Sequence, residues 1–197
     1  MQIELMLPTT RKFPFSNPDW IFEPKWDGYR ALCLVEDGSV RFMSRNKREL
    51  TKRFPELSTL HQGIKAGSAI LDGEIVALNE NDRPSFESLQ NRKKSFVVYF
   101  AFDCLMLNGN DLRSEPLISR KVLLKRILKK SPRIRYTDHV VGDGKQLFSS
   151  AEQLGLEGIV GKKADSLYLG GRTKDWLKIK TRIGTAVMKK RIETWGR

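Results

Sequence analysis

Residues 23–43, EPKWDGYRALCLVEDGSVRFM, set the terms on which the rest of the chain is read. From Arg30 to Met43 the run is rich in strand-forming residues and is broken once, at Glu36-Asp37-Gly38. Asp-Gly between two such runs signals a hairpin. Ahead of it stands Lys25, between Pro24 and Trp26 and followed by Asp27-Gly28, a tight-turn signal into the strand that begins at Arg30. A lysine placed this way is held. The octapeptide Glu23 to Arg30 alone reads equally well as a turn with incidental charges or as a reactive site.

Working outward, Ala69 to Leu78 and Phe96 to Leu107, the second ending at Asn108-Gly109, carry the same enrichment and predict strands in antiparallel sheets. Short strands are expected at Gly158 to Val160 and Trp176 to Ile179. Helices are expected at Leu50 to Gln62, Ser85 to Gln90, Ile118 to Lys130, Gly144 to Leu154 and Ala186 to Trp195. In the third, Val122, Leu123, Ile127 and Leu128 should face the core. Arg120, Lys121, Lys125, Lys129 and Lys130 should form a solvated face, with Pro132 as the stop. Strands and helices without regular alternation favour α+β over a doubly wound parallel sheet. No repeat or linker divides the 197 residues, so one domain is expected.

Thirty-six Lys and Arg against twenty-three Asp and Glu give a formal charge of +13, and the chain should attract polyanions. Lys162 to Arg197 holds eleven of those cations and three of the acids, which makes the C-terminal part the expected phosphate-tracking surface. Cys33 and Cys104 lie in apolar runs and should pack as small hydrophobes. No signal peptide or membrane-length apolar stretch is visible, which places the protein in the reducing cytoplasm. His61 and His139 lack metal-ligand spacing. Trp20 and Trp195 read as packing anchors, and Asp103 as an acid satisfied by backbone or by an arginine.

Three further stretches carry chemistry. LDGEIV, residues 71–76, sets a carboxylate inside an apolar strand, where it needs a partner: a ribose hydroxyl, a hydrated metal ion, or an arginine. GLEGIVGK, residues 155–162, repeats the pattern between glycines that permit close approach to a ligand. WLKIK, residues 176–180, points Lys178 and Lys180 to one face of a strand, where two ammonium groups call for an anion between them, most naturally a phosphate. YFAFD, residues 99–103, offers an exposed aromatic. A held lysine, isolated acids and paired lysines suit nucleotidyl transfer better than hydrolysis. Attack through nitrogen needs a free amine, which cationic neighbours and partial burial supply; Lys178, Lys180 and a metal ion are the candidates.

EPKWDGYR, SRN at 44–46, LDGEIVAL, YFAFD, EGIVGK and WLKIK follow the order and approximate spacing of the motifs of covalent nucleotidyltransferases, the superfamily of ATP-dependent DNA ligases, RNA ligases and mRNA capping enzymes. NPDWIFEPKWDGYRAL, SRNKRELTKRFPEL, LNGNDLRSEPLISRKVLL and GLEGIVGKKADSLY most resemble the ligase module of bacterial ligase D, an end-joining enzyme. The resemblance runs from Leu7 to Lys180. It implies an α+β fold of two antiparallel β-sheets flanked by helices, the ATP-grasp-like adenylation-domain fold. The adenylation domain would span residues 1–180, and a basic tail, 181–197, would turn at Gly184 and end in a helix.

The resemblance also implies roles. Lys25 is the nucleophile that becomes AMP-modified, Glu23 contacts the adenine amino group, and Arg30 holds ribose and phosphate. Arg45 engages the DNA 5′-phosphate. Glu74 contacts the ribose or the metal, and Glu157 is a second metal-directed carboxylate. Phe102 stacks on adenine, or is an ordinary core aromatic, with Val160 against the opposite face. Lys162, Lys178 and Lys180 surround the phosphates. The implied cofactors are ATP and magnesium, or manganese in its place. The implied partners are nicked or broken duplex DNA, bound with the nucleoid.

An OB-fold domain follows the core in this superfamily, and residues 181–197 are too short to form one. The expected activities are therefore a minimal ligase sealing nicks in DNA repair, a nucleotide- or nick-binding module completed by an OB-fold or end-joining protein in trans, or an RNA ligase. Glu23 suits adenine better than guanine, which argues against capping.

Overall fold

Asp37 and Gly38 both adopt positive φ, 47° and 74°, the backbone that a two-residue hairpin turn requires. Asn108 and Gly109 do the same at 47° and 83°. These turns shape the larger sheet of a computed structural model that describes residues 3–91 and 95–186. Trp195 and nearly all of the expected terminal helix, Ala186 to Trp195, lie outside the described residues.

The elements are β1 (Met6–Thr10), β2 (Trp20–Pro24), β3 (Tyr29–Glu36), β4 (Ser39–Ser44), β5 (Ser68–Leu78), α1 (Phe86–Gln90), β6 (Phe96–Leu107), β7 (Asn110–Asp111), α2 (Leu117–Ile127), β8 (Ile134–Tyr136), β9 (Val140–Val141), α3 (Gly144–Gln153), β10 (Gly158–Lys163) and β11 (Gly171–Lys180). They fall into two compact units. The first joins Met1–Trp26 to Asp138–Arg197, and the second is Asp27–Thr137.

In the second unit the strand order is β4-β3-β5-β6-β7, with β8 added parallel to β6. Ala31, Cys33 and Val35 of β3 alternate inward with Leu71, Ile75 and Ala77 of β5 and Val97, Tyr99 and Ala101 of β6, forming one buried cluster. Cys33 and Cys104 are buried in that cluster and pack as hydrophobes, and the burial pushes both thiols upward, Cys104 to about 12.

The expected helix at Leu50 to Gln62 is instead three 3₁₀ turns, Thr51–Arg53, Pro55–Leu57 and Leu60–Gly63. Pro55 donates no N–H and keeps Phe54 out of the helical region, at φ −126° and ψ 64°. Leu50, Phe54, Leu57, Leu60 and Ile64 still reach the core, so the helical spacing reported burial without a helix.

The apolar face of α2 is also not the expected one. Leu117, Arg120, Lys121, Leu124 and Ile127 are buried, whereas Val122 is 59% exposed. Two cations read as solvated are in the interior, where Arg120 meets Asp103 and Lys121 meets the main-chain oxygens of Phe102 and Thr137. Arg120 binds Asp103 with two contacts of 2.8 Å, the arginine partner expected for that acid.

In the first unit the order is β1-β11-β10-β2-β9, antiparallel except for β1 beside β11. The two sheets are thus antiparallel in their centres, and each carries one parallel edge pairing that strand periodicity alone does not predict. Among the described residues no helix is long and apolar enough to cross a membrane.

Candidate active site

Strand alternation does the first part of the positioning. Register pairs Val160 of β10 with Glu23 on one side and Lys178 on the other, Lys162 with Ile21 and Trp176, and Gly158 with Lys180. Glu23, Val160, Lys162, Lys178 and Lys180 therefore share one sheet face. The opposite face, with Trp20, Phe22, Ile159, Leu177 and Ile179, packs on Ala151, Leu147 and Phe148 of α3. Trp20 is the packing anchor the sequence suggested. An apolar back holds a charged front flat.

Lys25 leaves the end of β2 with its backbone N–H bonded to Gly158 O at 2.9 Å. Its Nζ donates to Glu157 Oε2 at 2.7 Å, and Lys180 Nζ lies 3.6 Å from Glu157 Oε1. One acid, side chain 9% exposed, is thus held between two lysines. Lys178 stands beside them with its pKa lowered, first by burial, then by the charges of Lys25, Lys180 and Arg172, against an opposing pull from Glu157. The cage of cations expected around Lys25 is there, and its nearest neighbour is a carboxylate.

Glu23 and Lys162 meet at 2.6 Å with side chains 3% exposed, as diagonal neighbours on the same face. The carboxylate expected on adenine is here engaged by a lysine expected on phosphate. Lys162 Nζ also lies 4.2 Å from the centroid of a Trp176 ring.

In the second unit Arg30 is paired in register with Glu74, and Glu74 with Phe100. The guanidinium of Arg30 grips the fully buried Asp72 at 2.7 and 3.1 Å and lies 5.3 Å from the centroid of Phe102. Within LDGEIV, then, the buried acid is Asp72 and its partner is an arginine, while Glu74 is half-buried. The YFAFD aromatics are not exposed: Tyr99, Phe100 and Phe102 are 0, 5 and 9% exposed, because β6 is the strand covered on both faces. Arg45 is exposed in a turn closed by Ser44 N–H to Arg48 O at 2.8 Å. His61 makes a local contact, 3.3 Å to Ser58 O.

Several supporting residues escaped the sequence reading. Thr181 Oγ donates to Leu156 O at 2.7 Å and accepts from Gly184 N–H at 3.1 Å, capping a helical turn at residues 182–186. Gly184 thus lies inside a helical turn and not at the expected turn, and the close approach of the Glu157 main-chain oxygen leaves no room for a Cβ there. The Thr-x-x-Gly spacing was the available signal. Asp72, two residues before Glu74 in LDGEIV, is another such residue, the buried partner of Arg30. Buried Arg120 and Lys121 gave no signal, since a cation facing inward cannot be told from one facing water by spacing alone. Among the described residues no group of three or more His, Cys, Asp or Glu could hold a metal ion. A divalent ion would need phosphate oxygens to complete its shell.

Two sheets, with an amine held against a carboxylate and flanked by lysines, fit the covalent nucleotidyltransferase fold. The profile of the ATP dependent DNA ligase domain matches residues 8–180. The multifunctional non-homologous end joining protein LigD of Pseudomonas aeruginosa is 36% identical over 171 residues, 84% of this chain and 20% of that protein. The SPbeta prophage-derived DNA ligase-like protein LigB of Bacillus subtilis is 34% identical over 185 residues, 91% of this chain and 67% of that protein. A mycobacterial DNA ligase D structure, complexed with ATP and MES, superposes with a TM-score of 0.80 at 34% identity, over 90% of this chain and 60% of that one. The chain belongs to the ATP-dependent DNA ligase domain family, as its adenylation domain. It spans about a fifth of the length of the LigD relative. The DNA-ligase reading is the one these comparisons support over the RNA-directed one.

Proposed function

We propose that residues 1–180 form an adenylation domain that builds a covalent lysyl-AMP at Lys25 and passes it to a DNA 5′-phosphate for sealing at a nick, with 181–197 as a basic tail. The observation that carries this reading is the 2.7 Å contact from Lys25 Nζ to Glu157 Oε2, with Lys180 on the other carboxylate oxygen. Glu157 is the nearest acceptor for the proton that Lys25 must lose. The freed nitrogen bonds to the α-phosphorus of ATP as the bond to the bridging oxygen breaks, and pyrophosphate departs. Lys178 and Lys180 neutralise the charge that develops on the phosphates. AMP then moves to the DNA 5′-phosphate, and attack by the neighbouring 3′-hydroxyl releases it as the strand closes.

The remaining roles follow the resemblance. Phe102 stacks on adenine with Val160 on the other face, and Glu23 reads the amino group once Lys162 turns to phosphate. Arg30 holds ribose and phosphate, and Arg45 the nick 5′-phosphate. Glu74 and Glu157 are the carboxylates that would hold a magnesium ion brought in with the triphosphate, and the ion would supply charge neutralisation there. Working partners are nicked or broken duplex DNA, in the cytoplasm with the nucleoid, with an OB-fold or end-joining protein available in trans.

The test is incubation with α-labelled ATP and magnesium, then nicked duplex. Label should survive denaturation in the parent chain and be absent from Lys25→Ala, and the nick should close. Equal labelling of Lys25→Ala would overturn the assignment. Label without closure would confine the chain's own chemistry to adenylyl transfer.

A further inference from the structure

Lys121 is fully buried, and its Nζ donates to Thr137 O at 3.0 Å and Phe102 O at 3.4 Å, with the Tyr136 ring centroid 4.6 Å away. Its neighbour Arg120, equally buried, binds the carboxylate of Asp103 and the carbonyl of Glu115, the latter at 2.5 Å. Asp103 in turn accepts the Cys104 N–H at 2.8 Å. Two successive cations of α2 thus reach two successive residues of β6. Those two residues make a β-bulge: Gly73 pairs with Ala101 and Asp72 with Asp103, which leaves Phe102 as the inserted residue.

A bulge re-aims the side chain it carries. If stability alone were at stake, apolar side chains of similar volume would fill this space at no loss, since buried charge carries a large desolvation cost. We propose that Arg120 and Lys121 are positioning residues for a base-stacking platform. Lys121 fixes the carbonyl of Phe102, Arg120 fixes the residue after it, and the ring is thereby set at the angle that receives the nucleobase. This inference rests on the reading of Phe102 as the adenine-stacking residue.

The experiment is the rate of lysyl-AMP formation against ATP concentration in the full chain, for Lys121→Met, Phe102→Ala and the double variant. Base stacking on an aromatic ring supports about a tenfold change in affinity. Lys121→Met is expected to raise KM for ATP by about that factor with a much smaller effect on kcat, and Phe102→Ala to do the same. The double variant should be no worse than Phe102→Ala alone, because a misaimed ring that is absent cannot matter.

A raised KM in Phe102→Ala with a parental KM in Lys121→Met would overturn the positioning role and leave stacking intact. So would multiplication of the two effects in the double variant. A parental KM in Phe102→Ala would remove the stacking reading itself, and this inference with it. Should Lys121→Met not fold, Lys121→Arg keeps a buried donor of different geometry. It should again raise KM, and again lose that effect in the Phe102→Ala background.

Discussion

Lys178 shows what it costs a single residue to wait for an anion. Its pKa is lowered from an ordinary 10.5, chiefly by burial and then by Lys25, Lys180 and Arg172, so the fold disfavours its charged form. The unfolded chain binds the proton more tightly, and unfolding takes one up between the lowered value and 10.5. Stability therefore rises with pH across that window, and below it the penalty is present in full. Lys178→Met should melt higher than the parent at neutral pH, with the gain shrinking as pH climbs toward 10.5; a gain that is constant with pH would refute this. The shared face of Lys178 and Lys180 was legible because alternation of period two fixes which side chains of one strand point the same way. The Lys25–Glu157 contact was not, because pairing across 132 residues depends on register that no local pattern encodes.

Among the elements, the short helical turn at 182–186 carries the sharpest consequence. Helix propensity alone would make Gly184→Ala stabilising by up to about 1 kcal/mol. The new Cβ would meet the Glu157 carbonyl, so the sign reverses: a loss of about 1–3 kcal/mol in urea unfolding, together with slower lysyl-AMP formation as Glu157 is displaced. A stabilised, fully active variant would refute the close approach. The hairpins at Asp37-Gly38 and Asn108-Gly109 were read correctly because their backbone demand is local. The stretch from Leu50 to Gln62 misled because one proline outweighs a helical spacing of apolar residues. The inward face of α2 misled for the opposite reason: it follows helical spacing but spends two of its positions on cations that the bulge in β6 needs.

For the whole molecule, the formal charge of +13 predicts binding to duplex DNA governed by released counterions. Affinity for nicked duplex should fall by roughly a hundredfold between about 50 and about 200 mM salt; a flat response would show that the excess charge faces away from the DNA. The α+β class and the central strands of the larger sheet were legible, whereas β1, β2 and β9 of the smaller sheet and the partition into two units were not, since no linker composition marks Trp26/Asp27 or Thr137/Asp138. That partition has a consequence for how the molecule is born. The unit holding Lys25 is stitched from two stretches, one on each side of Asp27–Thr137, with β1 laid on β11 and β2 on β10. Lys25 precedes Asp27–Thr137 in the chain and β10 and β11 follow it, so the sheet beside Lys25 closes only after the whole intervening unit has been made. A copy cut off within that intervening unit lacks Glu157 and Lys180, and with them the carboxylate that Lys25 binds in the finished fold.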